Sequence, residues 1–244
     1  MTLARGRARE AESPVGDPSR KGEVLDTSPF GPLTGDAREA LLDLGRLERC
    51  PRRTRLYTQG DASRALWLLG AGRVRLERQR GDRTLVIGHR GPGETIGEHV
   101  AVSGVSAAET AIVVDEVQAL VLPAPGLRKL LASSGPLRAA MAAALVDRYR
   151  AAQDRLESLL LHGVEARLMS FLLGAARRWG APHARGELVS ASFTHADIAM
   201  LIGSTRETVT LLLGRMRRAG LIDFERRRIV VSDRAAIEQR VSGS

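Results

Sequence analysis

Two pairs of polar residues with the same spacing lie close together in the last quarter of the chain. Thr194 precedes Asp197 by three positions, and Ser204 precedes Glu207 by three. This is the spacing of a capping box, in which a hydroxyl accepts a bond from the start of a helix and a carboxylate returns one. Gly203 lies between the pairs, where a tight turn needs a left-handed residue. The pattern therefore predicts a helix, a short turn and a second helix.

The second of these helices should have two different faces. At about 100° per residue, Val209, Leu212 and Met216 fall together and predict a buried stripe. Arg206 and Glu207 lie on the other side. If that side enters the major groove of DNA, the arginine can donate two bonds to guanine and the glutamate can accept one from cytosine. Both contacts select G·C pairs. The complete outward face is Arg206, Glu207, Thr210, Leu211 and Gly214, in which the leucine could pack on a thymine methyl group.

The surroundings of this helix pair are basic and rich in hydroxyl groups. Residues suited to phosphate contacts are Thr194, Ser204, Thr205, Arg215, Arg217 and Arg218. The next segment, 221–231, alternates apolar and polar residues on both sides of three arginines, and predicts a β-hairpin wing with Arg227 at its tip against the DNA backbone. Plainer interpretations are that Glu207 serves only its capping box, that Arg206 is a solvated charge, and that the motif binds protein.

Composition restricts the function. The 244 residues carry a formal net charge of +9, which favours polyanionic partners. Cys50 is the only cysteine, so an internal disulfide and an iron–sulfur centre are both excluded, and a reducing cytoplasm is expected. No phosphate-binding Gly-x-x-x-x-Gly-Lys loop, Gly-x-Ser-x-Gly elbow or paired metal-binding histidines occur, so an enzyme is not expected and no metal is assigned. His89, His99 and His162 lack a supporting haem-ligand pattern.

The N-terminal part of the chain predicts a tail followed by a β-domain. Residues 1–29 are polar and without periodicity, which predicts a flexible basic tail, and a short helix is expected over 37–47. From Thr54 to Leu122, short apolar runs separated by glycine-containing turns predict an all-β barrel or sandwich. Alternation predicts that these residues face inward: Leu66, Leu68, Val74, Leu76, Leu85, Ile87, Ile112, Val114, Leu120 and Leu122.

A helical period begins after Pro125. One apolar stripe runs along a long helix through Leu137, Met141, Leu145, Ala152, Leu156 and Leu159. Several alanines beside it would let a second copy of the helix approach closely, so we expect a two-fold dimer. The alternative is a helix buried against its own β-domain. Gly163 then separates this helix from another over 164–179, and is a candidate hinge.

The order of motifs resembles that of the CRP/FNR family of transcription regulators. It runs from Gln59-Gly60-Asp61 through Gly91–Glu98 to Arg206-Glu207-Thr208-Val209, and the likeness covers about residues 37–240. The resemblance implies an α+β fold with a jelly-roll sensor domain (30–134), a dimerisation helix (135–162) and a winged helix-turn-helix (163–244). It also implies a homodimer on palindromic double-stranded DNA, with half-sites one helical turn apart. RNA polymerase would be a further partner of an activator.

The same resemblance suggests an effector site. Gly97 and Glu98 match the start of the family's phosphate-binding cassette, and Glu109-Thr110 is the nearest match to its Arg-Ser pair. A carboxylate there would repel a cyclic phosphate, so cyclic AMP in its usual pose is not expected. Arg148 matches an arginine that can pair with Glu98. Gln153 keeps one hydrogen-bonding position of the base-contacting site. No cofactor is assigned. The remaining alternatives are another nucleotide-type effector, constitutive DNA binding with a degenerate sensor, and non-specific nucleoid-type binding.

Overall fold

The structure is a computed structural model that describes residues 18–62, 64–101, 105–191, 193–226 and 228–242. Over these ranges, none of the helices combines the length and apolar character that a membrane crossing requires. The same ranges contain no group of three or more His, Cys, Asp or Glu side chains placed to hold a metal ion.

The chain forms two compact units, which are described separately. The first comprises residues up to Thr84 together with Gly88–Asp147, and the second comprises Leu85–Ile87 and the chain from Arg148 onward. The helices are α1 (Pro18–Thr27), α2 (Gly35–Leu44), α3 (Ala124–Ser133), α4 (Gly135–Leu161), α5 (Val164–Trp179), α6 (His195–Ile202), α7 (Arg206–Arg218) and α8 (Arg234–Ser242). The strands are β1 (Arg46–Cys50), β2 (Arg55–Tyr57), β3 (Ala65–Arg80), β4 (Arg83–Arg90), β5 (Thr95–Ile96), β6 (Thr110–Pro123), β7 (Gly180–His183), β8 (Gly186–Val189), β9 (Ile222–Glu225) and β10 (Arg228–Val231).

The first unit is built on a six-stranded sheet. Its strand order is β1-β6-β3-β4, with β2 paired to β6 and β5 paired to β3. The registers described are all antiparallel, and the longest joins β3 to β6, from Ala65 opposite Pro123 to Glu77 opposite Thr110. Leu66, Leu68, Leu120 and Leu122 of this pair share one core with residues of α1, α2, α3 and α4. The α+β class and the antiparallel β-domain predicted from the sequence are confirmed.

The predicted inward-facing set is only partly correct. Six of its members are buried, but Leu85 is 48% exposed and Ile87, Ile112 and Val114 are only half-buried. Their neighbours Val86, Ala111 and Val113 occupy the core instead. The β3–β6 register shifts three times between Leu69 and Val74. Because side chains alternate across a sheet, a slip of one residue exchanges the two faces, which accounts for Ile112 and Val114 on β6.

The N-terminal expectation was wrong for residues 18–29. These residues include helix α1, and Leu25 just before its end is fully buried. Phe30 is also in the core of the first unit. Large apolar side chains thus stabilise a segment whose overall polarity predicted disorder. The expected tail over 1–17 lies outside the described residues. The next helix, predicted over 37–47, is α2 and ends at Leu44, before β1 begins.

The apolar stripe predicted along α4 has a buried part and an exposed part. Leu137 and Met141 are buried in the core of the first unit, so the alternative of packing against the helix's own β-domain is correct for this end. Farther along, Leu145, Leu156 and Leu159 are exposed, as are Tyr149 and Leu160. The free apolar surface therefore begins nearly three turns into the helix, at Leu145, later than the sequence pattern predicted.

The second unit contains the predicted C-terminal domain. A core cluster joins α5, α6, α7 and α8 to a four-stranded antiparallel sheet with the order β7-β8-β10-β9. The β9–β10 hairpin is the predicted wing. The β7–β8 hairpin was not predicted, because Gly180-Ala181-Pro182-His183 has no alternating pattern. Gly163 is the N-cap of α5 with φ −63°, and no other atom lies within 4 Å of where a Cβ would be. Its conformation does not require glycine, and its role as a hinge stays a prediction.

Candidate nucleic-acid interface and sensor site

Helices α6 and α7 are joined by a tight turn, as the sequence predicted. Thr194 caps α6: its Oγ1 accepts from the backbone of Asp197 at 3.0 Å, and the Asp197 carboxylate accepts from the Thr194 backbone at 3.1 Å. The first capping box is therefore confirmed. Gly203 has φ +64°, the left-handed conformation expected at the end of α6. A Cβ there would lie 2.9 Å from Leu159 Cδ2, so space also favours glycine.

The second predicted capping box, Ser204 with Glu207, is wrong. Thr205, not Ser204, is the N-cap of α7, and its Oγ1 accepts from the backbone of Thr208 at 3.2 Å. The two hydroxyls of this pair are also 2.9 Å apart. Ser-Thr offers two adjacent candidate caps, and only the path of the turn decides which one is used. Glu207 therefore has no capping role. In a capping box that begins at Thr205, the position three residues later is Thr208, which has no carboxylate.

The exposed side of α7 is the one that the helical wheel predicted. Val209, Leu212 and Met216 are buried. Arg206, Glu207, Thr210 and Leu211 are exposed, and we call these four residues the reading face. Leu211 is 52% exposed. A capped helix with an exposed Arg-Glu pair in its first turn presents donors and acceptors in the form that major-groove readers use.

His195 is an addition that the sequence did not suggest. It is the first residue of α6, and its Nδ1 lies 2.8 Å from Thr210 Oγ1 on the reading face. The Thr210 hydroxyl also donates to the Arg206 carbonyl at 2.9 Å. The His195 side chain of α6 therefore contacts the Thr210 side chain of α7. Fifteen positions separate the two residues, so no local pattern could have indicated this contact.

The wing is held by ion pairs at its base. Asp223 on β9 contacts Arg185 and lies 3.3 Å from Arg217 Nε. The backbone N–H of Phe224 and then these two arginines hold the pKa of Asp223 below its usual range. Arg217, expected to contact phosphate, thus lies beside a carboxylate. Arg215, Arg218 and the tip residue Arg226 are exposed, whereas Arg227 lies outside the described residues.

An arginine in the last part of α4 contacts the helix-turn-helix. Arg155 Nη2 donates to the Leu201 carbonyl at 2.9 Å, near the end of α6. Burial lowers the pKa of this guanidinium. Arg167 on α5 donates to the carbonyl oxygens of His162 at 3.0 Å and Gly203 at 3.2 Å. Backbone carbonyls at the end of α4 and in the turn are therefore linked through arginines that the sequence analysis did not single out.

The predicted phosphate-binding cassette is defined here as residues 97–110, and its start lies in the first unit. Gly97 has φ +85°, and a Cβ there would lie 2.6 Å from the Ala65 carbonyl oxygen, so only glycine fits. Glu98 is buried, and its carboxylate accepts a bond from the hydroxyl of Thr95. A short 3-10 helix, Glu98–Ala101, follows. The matched Gly-Glu pair is thus built into the sheet with a fixed backbone.

The other end of the cassette faces Tyr57 and the loop after it. The Tyr57 hydroxyl donates to Glu109 Oε1 at 3.1 Å, and Thr110 Oγ1 accepts from the Gln59 backbone at 3.0 Å. The Tyr57 ring also meets the His99 ring edge-on, with centroids 5.4 Å apart. Tyr57 therefore connects both ends of the cassette. This residue was not predicted from the sequence, because a single tyrosine in a short strand has no motif around it.

Two predicted effector residues belong to the other unit. Arg148 and Gln153 lie on the part of α4 that belongs to the second unit, and Gln153 is exposed. Their placement relative to the cassette is not described, so the pairing of Arg148 with Glu98 stays a prediction.

Fold and site together define a class: a DNA-binding regulator with a sensor-like β-domain and a winged helix-turn-helix. Residues 47–134 match the cyclic nucleotide-binding domain, and residues 166–240 match the Crp-like helix-turn-helix domain. The chain is 30% identical over 201 residues to the global nitrogen regulator of Synechococcus elongatus, covering 81% of this chain and 90% of that protein. This chain belongs to the CRP/FNR family of transcription regulators, which are not enzymes.

Two further relatives are regulators of the same family. A CRP-like cAMP-activated global transcriptional regulator of Mycobacterium tuberculosis is 26% identical, covering 78% of this chain and 85% of the relative. The crystal structure of a CRP-family transcriptional regulator from Thermus thermophilus superposes with a TM-score of 0.68 at 30% identity, covering 81% of this chain and 97% of that one. The chain thus spans nearly the whole length of these relatives.

Proposed function

We propose that this regulator works as a homodimer that reads a palindromic operator containing G·C pairs, with Arg206 and Glu207 as base-reading residues. The observation that carries this proposal is the reading face. It is exposed on a capped helix whose opposite side is buried in the core of the second unit. Arg206 would donate to guanine, and Glu207 would accept from cytosine. The hydroxyls of Ser204 and Thr205, with Arg227, would contact phosphates. The Thr194 hydroxyl, expected to do the same, instead donates to the Asp197 carboxylate at 2.6 Å.

The exposed part of α4 supports the dimer. Tyr149 is 64% exposed and Leu160 is 74% exposed, on the same helix as the exposed Leu145 and Leu156. A row of large apolar side chains left in water on a long helix is typical of a surface that another protein covers. A two-fold pair of such helices would duplicate the reading face, as a palindromic site requires.

We infer that the cassette does not bind cyclic AMP in the usual pose. Residues 97–110 include two glutamates and no arginine or lysine. The Glu109 carboxylate accepts a bond from the Tyr57 hydroxyl, and no arginine or lysine within this segment replaces the missing arginine. A cyclic phosphate would meet negative charge there without a compensating ion pair. We therefore propose another effector, or constitutive binding, and place the protein in the cytoplasm, where its DNA lies.

The test is selection of bound sequences from random DNA, with and without a panel of nucleotides that includes cyclic AMP. We expect a palindrome with G·C pairs at matching positions of both half-sites, and no change when cyclic AMP is added. A selected pool without symmetry would contradict the dimeric reading of DNA. Enrichment that depends on cyclic AMP would contradict the interpretation of Glu109.

A second candidate is non-specific, nucleoid-type binding. The net charge of +9 and the exposed Arg215, Arg218 and Arg226 favour it. Competition between a palindromic site and random DNA at one salt concentration separates the two functions, because only specific recognition gives a large ratio of affinities.

A further inference from the structure

The hydroxyl of Thr210 is already engaged within the protein. Its one proton is donated to the Arg206 carbonyl at 2.9 Å. His195 Nδ1, 2.8 Å away, must therefore be the donor in the second bond. With these two bonds, Thr210 has no proton to offer a base, and its oxygen is directed toward its own helix and toward His195. The methyl group is the apolar part of this exposed side chain that can contact a thymine methyl.

The next residue is also apolar. Leu211 is 52% exposed although the rest of its helix offers a well-formed core for leucines, as the buried Leu212 and Leu213 show. The first and second turns of the reading face thus differ in polarity. Its first turn carries the charged Arg206 and Glu207, and its second turn presents the Thr210 methyl and Leu211.

Among the groups that base pairs expose in the major groove, the thymine C5 methyl is the apolar one. We propose that Thr210 and Leu211 form a methyl-reading surface that selects a T·A pair beside the G·C pairs of each half-site, and that His195 is the positioning residue that orients Thr210. This inference rests on the proposed function and deepens it by naming a second base preference and its physical basis.

The experiment uses the full chain and its selected operator. Each thymine of a half-site is replaced in turn by deoxyuridine, which removes only the methyl group. We expect one position at which affinity falls about fourfold per substituted half-site, as the burial of one methyl-sized group implies. Leu211→Ala should bind thymine and uracil operators alike at that position.

Paired variants test Thr210 and His195. Thr210→Val keeps a methyl group and should keep the discrimination, whereas Thr210→Ser keeps only the hydroxyl and should weaken it. His195→Ala should reduce the discrimination, and His195→Asn, whose amide can donate in place of Nδ1–H, should restore it. His195 and Leu211 lie outside the core, so thermal unfolding of these variants should match that of the wild type.

The possible outcomes distinguish failure of the methyl-reading surface from failure of the proposed function. A wild-type protein that prefers G·C pairs but shows no uracil effect at any thymine would overturn this inference alone. An unchanged uracil effect in Leu211→Ala would do the same, and an unchanged effect in His195→Ala would overturn the positioning role. A wild-type protein without any sequence preference would contradict the proposed function as well.

Discussion

At the scale of single residues, the polar chemistry of the reading face is concentrated in its first turn. Arg206 and Glu207 are exposed, and within the described ranges no hydrogen bond or ion pair of either side chain is present. Most charged groups of the second unit that flank the wing are instead paired, as Asp223 and Glu225 are. Two opposite charges left unpaired at the start of an exposed helix are suited to pair with bases, in line with the role proposed for them.

Replacement of Arg206 by alanine should therefore act on specific binding. We expect Arg206→Ala to lose about 1–3 kcal/mol at the selected operator and to weaken binding to random DNA little. Fluorescence anisotropy with both DNAs at one salt concentration measures this difference. Arg215→Ala is the matched control, an exposed arginine of the same helix that should weaken binding to both DNAs by similar factors. Equal losses from Arg206→Ala on the two DNAs would contradict base reading.

Cys50 provides a second test at this scale. Burial, and then the nearby Glu48 carboxylate, raise the pKa of the thiol from 9.0 to about 11. The folded state therefore holds this proton more tightly than the unfolded state, and stability should fall as pH rises from about 9 to about 11. Urea unfolding across this range should show a smaller decrease for Cys50→Ala than for the wild type. Identical pH dependence in both proteins would show that the thiol is not shielded.

At the scale of secondary-structure elements, the start of α7 depends on one hydroxyl. Thr205 Oγ1 satisfies the Thr208 backbone, while its neighbour Ser204 does not cap the helix. Arg206 and Glu207 directly follow the cap, so their presentation depends on where the helix begins.

The two adjacent hydroxyl residues make a matched pair of variants. Thr205→Ala should lower the free energy of unfolding by about 1 kcal/mol, because a backbone donor at the helix start loses its partner. Ser204→Ala should have an effect within about 0.5 kcal/mol. Thermal or urea unfolding of the full chain measures both. The reverse order of effects would restore Ser204 as the cap and contradict the observed start of α7.

At the scale of the whole molecule, dimerisation is expected to use only the outer part of α4. Leu137 and Met141 are buried within the first unit, so they are not available to a partner. The exposed Leu145, Tyr149 and Leu156 are spaced by four and seven positions, which keeps them on one side of the helix. The proposed partner for this apolar row is a second copy of this helix.

A charged substitution in this row should separate the protomers without unfolding them. We expect Leu156→Glu to shift the protein from dimer to monomer, since the dimer would bury two unpaired carboxylates. Sedimentation velocity measures the change, and circular dichroism checks the fold. Ala151→Glu adds the same charge at an exposed position on another side of the helix and should leave the dimer intact. A wild-type chain that is monomeric at every concentration would contradict the proposal.

Much of the candidate site could be predicted from the sequence, because the signals for it are local. The Thr194–Asp197 box, the left-handed Gly203 and the faces of α7 depend on residues within one or two turns of each other, and all three are confirmed. The family resemblance rests on such short motifs as well. What helices and turns require of their own residues can be inferred directly from residue type and spacing.

The tertiary structure decided the features that depend on contacts between distant residues. These include the burial of Leu25 in a segment that looked disordered, the exchange of faces along β6 where its register with β3 shifts, and the division of α4 into a buried and an exposed part. The contacts of Tyr57 with Glu109 and of His195 with Thr210 belong to the same group. Packing brings together side chains that are 15 to 52 positions apart, and residue type and spacing contain no information about which of them will meet.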